Sequence, residues 1–481
     1  MVCDPKPGLK QPGLKQPGLK QQGWIGYELR NFCRALLLGC VACLLAAAQK
    51  AADLPTPSTL INKRLPKWVR VGGEYRTRFE GYSGGNFSDG SSDAYWLSRT
   101  RLSLTLQPLP WGKVFAEVQD ARVIRKHPGL PPFENVWDLR SAYLELGDID
   151  KKPFGLRVGR QELFFGENRI VGGAAWANAT RAFDGVRAVV RFAGNRLDFL
   201  ATSVVVNVNG TWDHHQQGNN FHGVYGDFPK LIPHAVIQPY VFWRLQPRVR
   251  NEAGVVANVD EKIPGFRLVG TLPRGFDYNI EIAYQFGSVG SDRIQAWLGH
   301  WLVGRTWKKL PFSPRIWGEY NYLSGDANPR DGIRGTFDVL YPTVHDKFGF
   351  ADQFAGRNLK DIRWGVEGKL PKGVNASLEL NDWRLASAVD GLYSAQGTVI
   401  GRSPTGIVGT HVGNEIDLIT TWKLRGSVLV GAGVGYILPG AFLKATTPGK
   451  PYLYPYIMFT YKLQEIKKRQ ILGGGYLPCY Q

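Results

Sequence analysis

Cysteine is nearly absent from most of this 481-residue chain. Cys3, Cys33, Cys40 and Cys43 crowd the N-terminus, and only Cys479 follows. Once an N-terminal leader is removed, no intrachain disulfide is possible. A thiol-poor exported chain therefore has to hold itself together without covalent staples. Long apolar runs are missing too: after Ala48 none is long enough for a spanning helix. Nor is there a sustained 3.6-residue apolar period. Neither absence excludes a membrane, because a strand hides its apolar residues by alternating them. Carboxylates are also scarce relative to cations, and the net charge is +19. Such a balance points to an anionic partner.

The one apolar run, Ala35 to Ala48, follows Arg30 and Arg34 and ends in Ala46-Ala47-Ala48. This is the pattern of a secretory signal peptide cleaved near Ala48, too short for a membrane helix. Leu37-Leu38-Gly39-Cys40 resembles a lipobox but leaves almost no apolar core after Arg34. Pro-Gly-Leu-Lys-Gln, present three times between Pro7 and Gln21, extends the region ahead of the signal and receives no function. Losing residues 1–48 removes six basic and two acidic residues and leaves +15. Export makes nucleic acid the wrong class of partner.

What the chain has in abundance is a two-residue beat. Val69, Val71, Gly73, Tyr75, Thr77 and Phe79 alternate with Arg70, Gly72, Glu74, Arg76, Arg78 and Glu80. An extended strand sends these sets to opposite faces. The pattern recurs about eighteen times, from Val69 to Leu463. Every second connection is a short turn, such as Gly194-Asn195, Pro371-Lys372-Gly373 and Arg425-Gly426; those between are mostly long, such as Gly81 to Ala94 and Gly325 to Leu359. The fold class expected is all-β: a transmembrane antiparallel up-and-down β-barrel with short periplasmic turns, long extracellular loops, both termini in the periplasm and a wet interior. The expected organisation is an extension and signal peptide over 1–48, a periplasmic segment over 49–68, the barrel over 69–463 and a basic tail over 464–481. Among the expected strands are Phe154–Phe164, Phe221–Phe228, Ile263–Leu272 and Ser313–Ser324.

Projecting the strands inward places Arg76, Arg78, Arg99, Arg101, Arg160, Arg187, Arg191 and Arg363 on the interior face, with Arg70 and Arg315. Glu117 and Glu319 share that face with Glu74, Glu281, Glu367, Glu415 and Asp417. Arginine stays protonated and forms bidentate pairs with carboxylates. An arginine excess in a narrow aqueous channel favours anions. Each such arginine can also simply brace the wall against a carboxylate. The longest outer link carries Arg330, Arg334, His345 and Lys347 and is a candidate gate or constriction loop, or else an extracellular cap.

The middle of the chain resembles the alginate-export family of outer-membrane barrels. The matching blocks include Glu117-Val118-Gln119-Asp120-Ala121-Arg122, Val158-Gly159-Arg160-Gln161-Glu162-Leu163, Phe183-Asp184-Gly185-Val186-Arg187, Gly318-Glu319-Tyr320-Asn321-Tyr322 and His345-Asp346-Lys347-Phe348-Gly349. The resemblance covers roughly Val69 to Leu463. It implies an eighteen-stranded barrel that passes an anionic polyuronate outward through an arginine-rich constriction. The expected partners are an anionic polysaccharide or small anions, outer-membrane lipid and lipopolysaccharide, and periplasmic export proteins; no cofactor is expected. The closing strand departs from the usual pattern, since Leu463 stands where an aromatic commonly ends such a barrel and the chain continues to Gln481.

Other signals are weaker. Gly81-Tyr82-Ser83-Gly84-Gly85 fits the nucleophile-elbow string but leads from a strand into a loop, not a helix. Asp326, Asn328 and Asp331 resemble a calcium loop with one residue too many and no closing glutamate. His214, His215 and His222 lack a partner at zinc-like spacing. No Gly-rich phosphate loop precedes a helix. An outer-membrane enzyme such as a phospholipase would need a catalytic set that is not apparent, and an adhesion barrel rests only on loop length. The leading expectation is a conduit for an alginate-like polymer, with a general or small-anion porin as the alternative.

Overall fold

A computed structural model describes residues 56–126, 132–425 and 427–463. The expected leader and cleavage site near Ala48, the repeats, Cys479 and the tail 464–481 lie outside the described residues. The segment 49–68 is described from Thr56 onward.

Eighteen strands close into one antiparallel barrel. They are β1 Val69–Ser83, β2 Ser92–Leu109, β3 Gly112–Ile124, β4 Asn135–Gly147, β5 Phe154–Gln161 and β6 Phe183–Phe192. Next come β7 Asn195–Val206, β8 His214–Ile232, β9 Ala235–Arg250, β10 Val256–Leu272, β11 Phe276–Val289 and β12 Asp292–Thr306. The ring ends with β13 Arg315–Leu323, β14 Leu359–Leu370, β15 Val374–Leu385, β16 His411–Arg425, β17 Val428–Pro439 and β18 Tyr452–Lys462. Each strand pairs with its neighbour in sequence, and β18 returns to β1 with Glu74 opposite Lys462 and Phe79 opposite Ile457. Closure pairs the backbone along the seam, which an open sheet in lipid cannot do.

The alternation works as the sequence predicts. On β14, Ile362, Trp364 and Val366 are exposed toward lipid while Asp361 and Arg363 are buried. On β1, Tyr75 faces out and Arg76 and Arg78 face in. No helix among the described residues is long and apolar enough to cross a membrane.

Several boundaries move. β5 stops at Gln161 rather than Phe164, because the chain turns into the lumen there. β8 begins at His214 rather than Phe221, and β10 at Val256 rather than Ile263. These extensions are polar hairpin arms, with Val205 opposite His215 and Arg250 opposite Val256. Outside the bilayer no face must be apolar, so their alternation is weak. β13 is trimmed to Arg315–Leu323.

A helix not foreseen, α1 Pro57–Arg64, docks at the periplasmic end of the β1–β18 seam. Thr56 caps it by accepting from the Thr59 N–H, Pro57 opens it, and Lys63 and Arg64 sit at its negative end. Ser58 N–H donates to Leu463 O at 3.0 Å, and the Asn62 amide exchanges two hydrogen bonds with Val71. A second short helix, α2 Ala441–Thr446, lies in the last outer loop with Phe442 and Leu443 buried.

The lumen is not simply wet, contrary to the sequence-based expectation. Loops 162–182 and 324–358 carry Phe165, Ile170, Trp176, Phe337, Phe348 and Phe354 into one buried cluster with the wall residues Phe183, Phe242 and Trp383. Burying side chains of this size is worth about 1.5–3 kcal/mol each, which offsets the entropy of ordering two long loops.

Candidate pore constriction

The two loops meet inside the barrel as a short parallel bridge, Val171 to Tyr341. Gly172 N–H donates to Tyr341 O at 2.8 Å, Tyr341 N–H to Ile170 O at 3.0 Å and Thr343 N–H to Asn168 O at 2.9 Å. Backbone paired in this way has no unsatisfied groups to leave in an apolar core.

Arginines from β1 and β2 grip the first loop. Arg76 stands opposite Arg99, and Arg101 opposite Glu74, in the strand register. Arg76 donates to the carbonyls of Ala175 at 2.8 Å and of Trp176 and Ala177 at 3.0 Å. Arg78 reaches Trp176 O at 2.8 Å, and Arg99 reaches Ala175 O at 3.2 Å and Ala177 O at 3.1 Å. Three guanidiniums thus converge on three successive carbonyls. Glu74 pairs with Arg99 at 2.8 Å and Glu80 with Arg78. Arg101 holds Gln119 and Thr180. Glu117 joins the cluster through Arg140 at 3.4 Å, and Arg140 also pairs with Glu162 of the loop.

Side-chain stacking fastens the second loop to the first. The Arg78 guanidinium lies 3.8 Å from the Trp176 ring centre, and His345 stacks on the other side of that ring at 3.9 Å and 1°. His345 Nδ1 is 2.8 Å from Asp352. Deeper in the second loop, the Phe350 and Ala351 N–H groups donate to Glu415 of β16.

The other predicted interior residues are placed apart from this cluster. Arg363 bridges Glu319 at 3.2 Å and Glu379 at 3.0 Å and donates to Lys347 O at 3.1 Å. Glu319 also takes Arg169 of the first loop at 3.2 Å. Arg160 forms a bidentate pair with Asp184 at 2.8 and 3.0 Å. Arg187 pairs with Asp198 at 2.7 Å. Arg191 sits at the periplasmic end, donating to Ile149 O. The wall sector of β13 to β16 is acid-rich: Asp361, Glu379, Glu415 and Asp417 are buried there around Arg363.

The candidate gate residues divide between two positions. Arg330 is exposed, and Arg334 pairs beside Ile294 of β12, both at the outer mouth. His345 and Lys347 lie inside, so one loop is cap and lumen insert at once. Asp326, Asn328 and Asp331 do not converge as a calcium site. Asp326 accepts from the Asn328 and Gly335 N–H groups and Asp331 from Ile333 N–H, so the carboxylates close turns. No metal-holding group of three or more acidic, His or Cys residues occurs among the described residues.

Sequence reasoning did not name Arg140, Arg244 and Arg267, which also face inward. Arg244 binds Glu261 at 2.6 Å and Asp338 of the second loop at 2.9 Å. Arg244 and Arg267 lie in phase with buried Phe242 and Val269, so the same count finds them. Arg140 sits on a bulge where Glu117 faces Ser141 but Val118 faces Leu139, which breaks the count. Above the loop contact lies a cavity of about 1080 Å³ whose lining includes Arg78, Tyr82, Lys126, Arg181 and Tyr452. An adjoining cavity of about 310 Å³ is lined by Arg244, Arg334 and Asp338, and shares Arg357 with the first.

The alginate export family model matches residues 67–451, most of the chain and all but the end of the barrel. The chain belongs to the alginate export family. Solved outer-membrane barrels share the fold of this family member at low identity. OpdL of Pseudomonas aeruginosa is 12% identical, with a TM-score of 0.56 over 82% of this chain and 99% of its own. OccAB4 of Acinetobacter baumannii is 12% identical, with a TM-score of 0.54 over 82% of this chain and 97% of its own. The outer membrane protein OpdK of Pseudomonas aeruginosa is 9% identical, with a TM-score of 0.56 over 82% and 98%. No curated protein matches the sequence. Family and fold together make the chain an outer-membrane channel.

Proposed function

We propose that this outer-membrane channel conducts anions, and that its cargo is an anionic polysaccharide of the alginate type. One observation carries the reading: Arg76, Arg78 and Arg99 turn toward neutral backbone carbonyls of a loop. A carboxylate accepts a stronger hydrogen bond from a guanidinium than a carbonyl does. An arriving polyanion therefore competes with residues 175–177 for the same donors, and the loop yields as the polymer enters. Arg101, Arg160, Arg187 and Arg363 extend the cationic surface along the wall, with Arg191 at its inner end. Glu74, Glu117 and Glu319 keep each contact weak enough for release, as conduction requires. The loop carrying Arg330, Arg334, His345 and Lys347 serves as the second half of the gate.

Planar-bilayer recordings test this. Under a KCl gradient the reversal potential reports preference for chloride, and Arg99→Gln with Arg101→Gln moves it toward the cation side. Soluble polyuronate blocks or modulates the current. A cation-selective wild-type pore ends the proposal. A small-anion porin is the second reading, and the lumen packed by two loops favours it. Chloride selectivity without any response to polyuronate identifies that case.

A further inference from the structure

Both rims of the barrel carry outward cations. Near the outer rim Arg293 and Lys360, in phase with outward Trp297 and Ile362, have no carboxylate partner among the described residues, and others have one close by. Arg122 pairs with Asp120 at 2.8 Å, Lys262 with Asp260 at 2.5 Å and Arg384 with Asp382 at 3.3 Å. Near the periplasmic rim Lys113 and Arg157 each pair with Glu145 at 2.6 Å, Arg196 with Asp198 at 2.6 Å and Lys151 with Asp148 at 3.9 Å. Lys67, Lys152, Lys230, Lys308, Lys309 and Lys372 are exposed and have no carboxylate partner among the described residues. Of the periplasmic turns, only the one containing Asp148 and Asp150 carries a carboxylate.

These cations come with greasy neighbours. Lys67 precedes Trp68, Lys152 lies two before Phe154, and Lys230 precedes Leu231; Lys308 and Lys309 precede Leu310 and Phe312. Trp68, Phe154, Leu231, Leu310 and Phe312 are all exposed. Lys372 lies beside Trp422 of β16, whose indole N–H donates to the Lys372 carbonyl at 3.0 Å. Arg274, exposed in its own turn, follows exposed Leu272 by two. An exposed apolar side chain at the end of a barrel strand enters the acyl region, and a lysine beside it reaches the headgroup level. At Lys67 and at the turns carrying Lys152, Lys230, Lys308, Lys309 and Lys372, the arrangement sets an ammonium at phosphate depth next to an acyl-facing anchor.

We propose that the periplasmic rim is a binding collar for anionic glycerophospholipids of the inner leaflet. The ligand is a phosphodiester headgroup with a net negative charge, held by the lysine ammonium while its acyl chain packs on the neighbouring aromatic or leucine. A soluble polyanion would use the cations but would leave the apolar partners exposed to water, so the pairing favours lipid.

Native mass spectrometry of the full-length protein released from nanodiscs tests the collar. The nanodiscs contain phosphatidylethanolamine with or without phosphatidylglycerol. The wild type retains phosphatidylglycerol in preference to phosphatidylethanolamine. The combined variant Lys230→Gln, Lys308→Gln, Lys309→Gln, Lys372→Gln loses that preference by roughly tenfold or more, since each cation near an anionic surface contributes about fivefold at low salt. The matching four-lysine-to-arginine variant keeps it, which separates charge from folding. Lack of preference in the wild type overturns the collar, as does an unchanged preference in the glutamine variant. If the glutamine variant instead loses only polyuronate binding on the periplasmic side of vesicles, the rim is a polymer entrance and the lipid proposal fails.

Discussion

Removing the Trp176 side chain tests whether the two loops set the resistance of the channel. The ring is the rivet between them: Arg78 covers one face at 3.8 Å, His345 the other at 3.9 Å, and Tyr456 meets its edge at 5.0 Å. Trp176 is 7% exposed, so Trp176→Ala opens a cavity rather than a surface notch. Truncating a buried tryptophan costs about 3–5 kcal/mol. Here the barrel keeps its strands, and the loss falls on the docking of loop 162–182 against loop 324–358. A change of that size shifts a docked–undocked equilibrium by roughly a hundredfold to a few thousandfold. The wall arginines are untouched, so selectivity is preserved while the lumen widens. In planar bilayers the variant shows larger single-channel conductance and longer open times than the wild type. Its heat-modifiable gel mobility confirms a folded barrel. A folded variant with unchanged conductance refutes the view that these loops close the pore.

The acid-rich wall makes a separate prediction about stability. Arg363 is the shared counter-ion of buried Glu319 and Glu379; Arg363→Met leaves Glu319 with Arg169 and strands Glu379, at a cost of about 3–5 kcal/mol. The urea midpoint in lipid vesicles falls accordingly, and adding Glu379→Gln recovers part of it; an unchanged midpoint in the single variant contradicts the pairing. The outer loops respond to pH through Glu252. Burial, and then its hydrogen bond with Asp326, push this carboxyl up from 4.5 to about 7. A raised carboxyl gives its full stabilisation below the unfolded value, and that is lost as pH rises through about 7. Hydrogen exchange of residues 251–255 and 326–335, corrected for intrinsic rates, is therefore slower at pH 5 than at pH 8. Glu252→Gln flattens the difference, and equal protection of the wild type at both pH values rejects it.

The barrel was legible because lipid imposes one rule on every residue of a spanning strand. Trp364 must face out and Arg363 must face in, and a two-residue count recovers both. The rule fails where its cause is absent. His214 to Asn220 lie on a hairpin arm in which polar residues face both ways, so the true start of β8 was hidden. Arg140 occupies a bulge, and one extra residue inverts the count on either side of it. α1 was missed for another reason: its eight residues carry little apolar pattern, and its place is set by contacts with Leu463 and Val71, far away in sequence or on the next element.

The interior was legible only as far as which arginines face it. What they touch depends on loops whose path no periodicity encodes. Loop 162–182 presents Ala175, Trp176 and Ala177 to the wall through backbone carbonyls, and a carbonyl leaves no mark in a sequence. A signal did exist in the aromatic content of the loops: Trp176, Phe337, Phe348, Phe350 and Phe354 are costly to leave in water at an outer surface. Two long polar-flanked links that carry such residues over a ring of inward cations have one place to bury them, which is the lumen. The expected choice between wall-bracing and channel-lining arginines was framed too narrowly. Arg76, Arg78 and Arg99 hold neither a wall carboxylate alone nor a solvated path, but a loop of the chain itself; in the proposed gating that loop yields, and one set of side chains then serves a closed state and a conducting one.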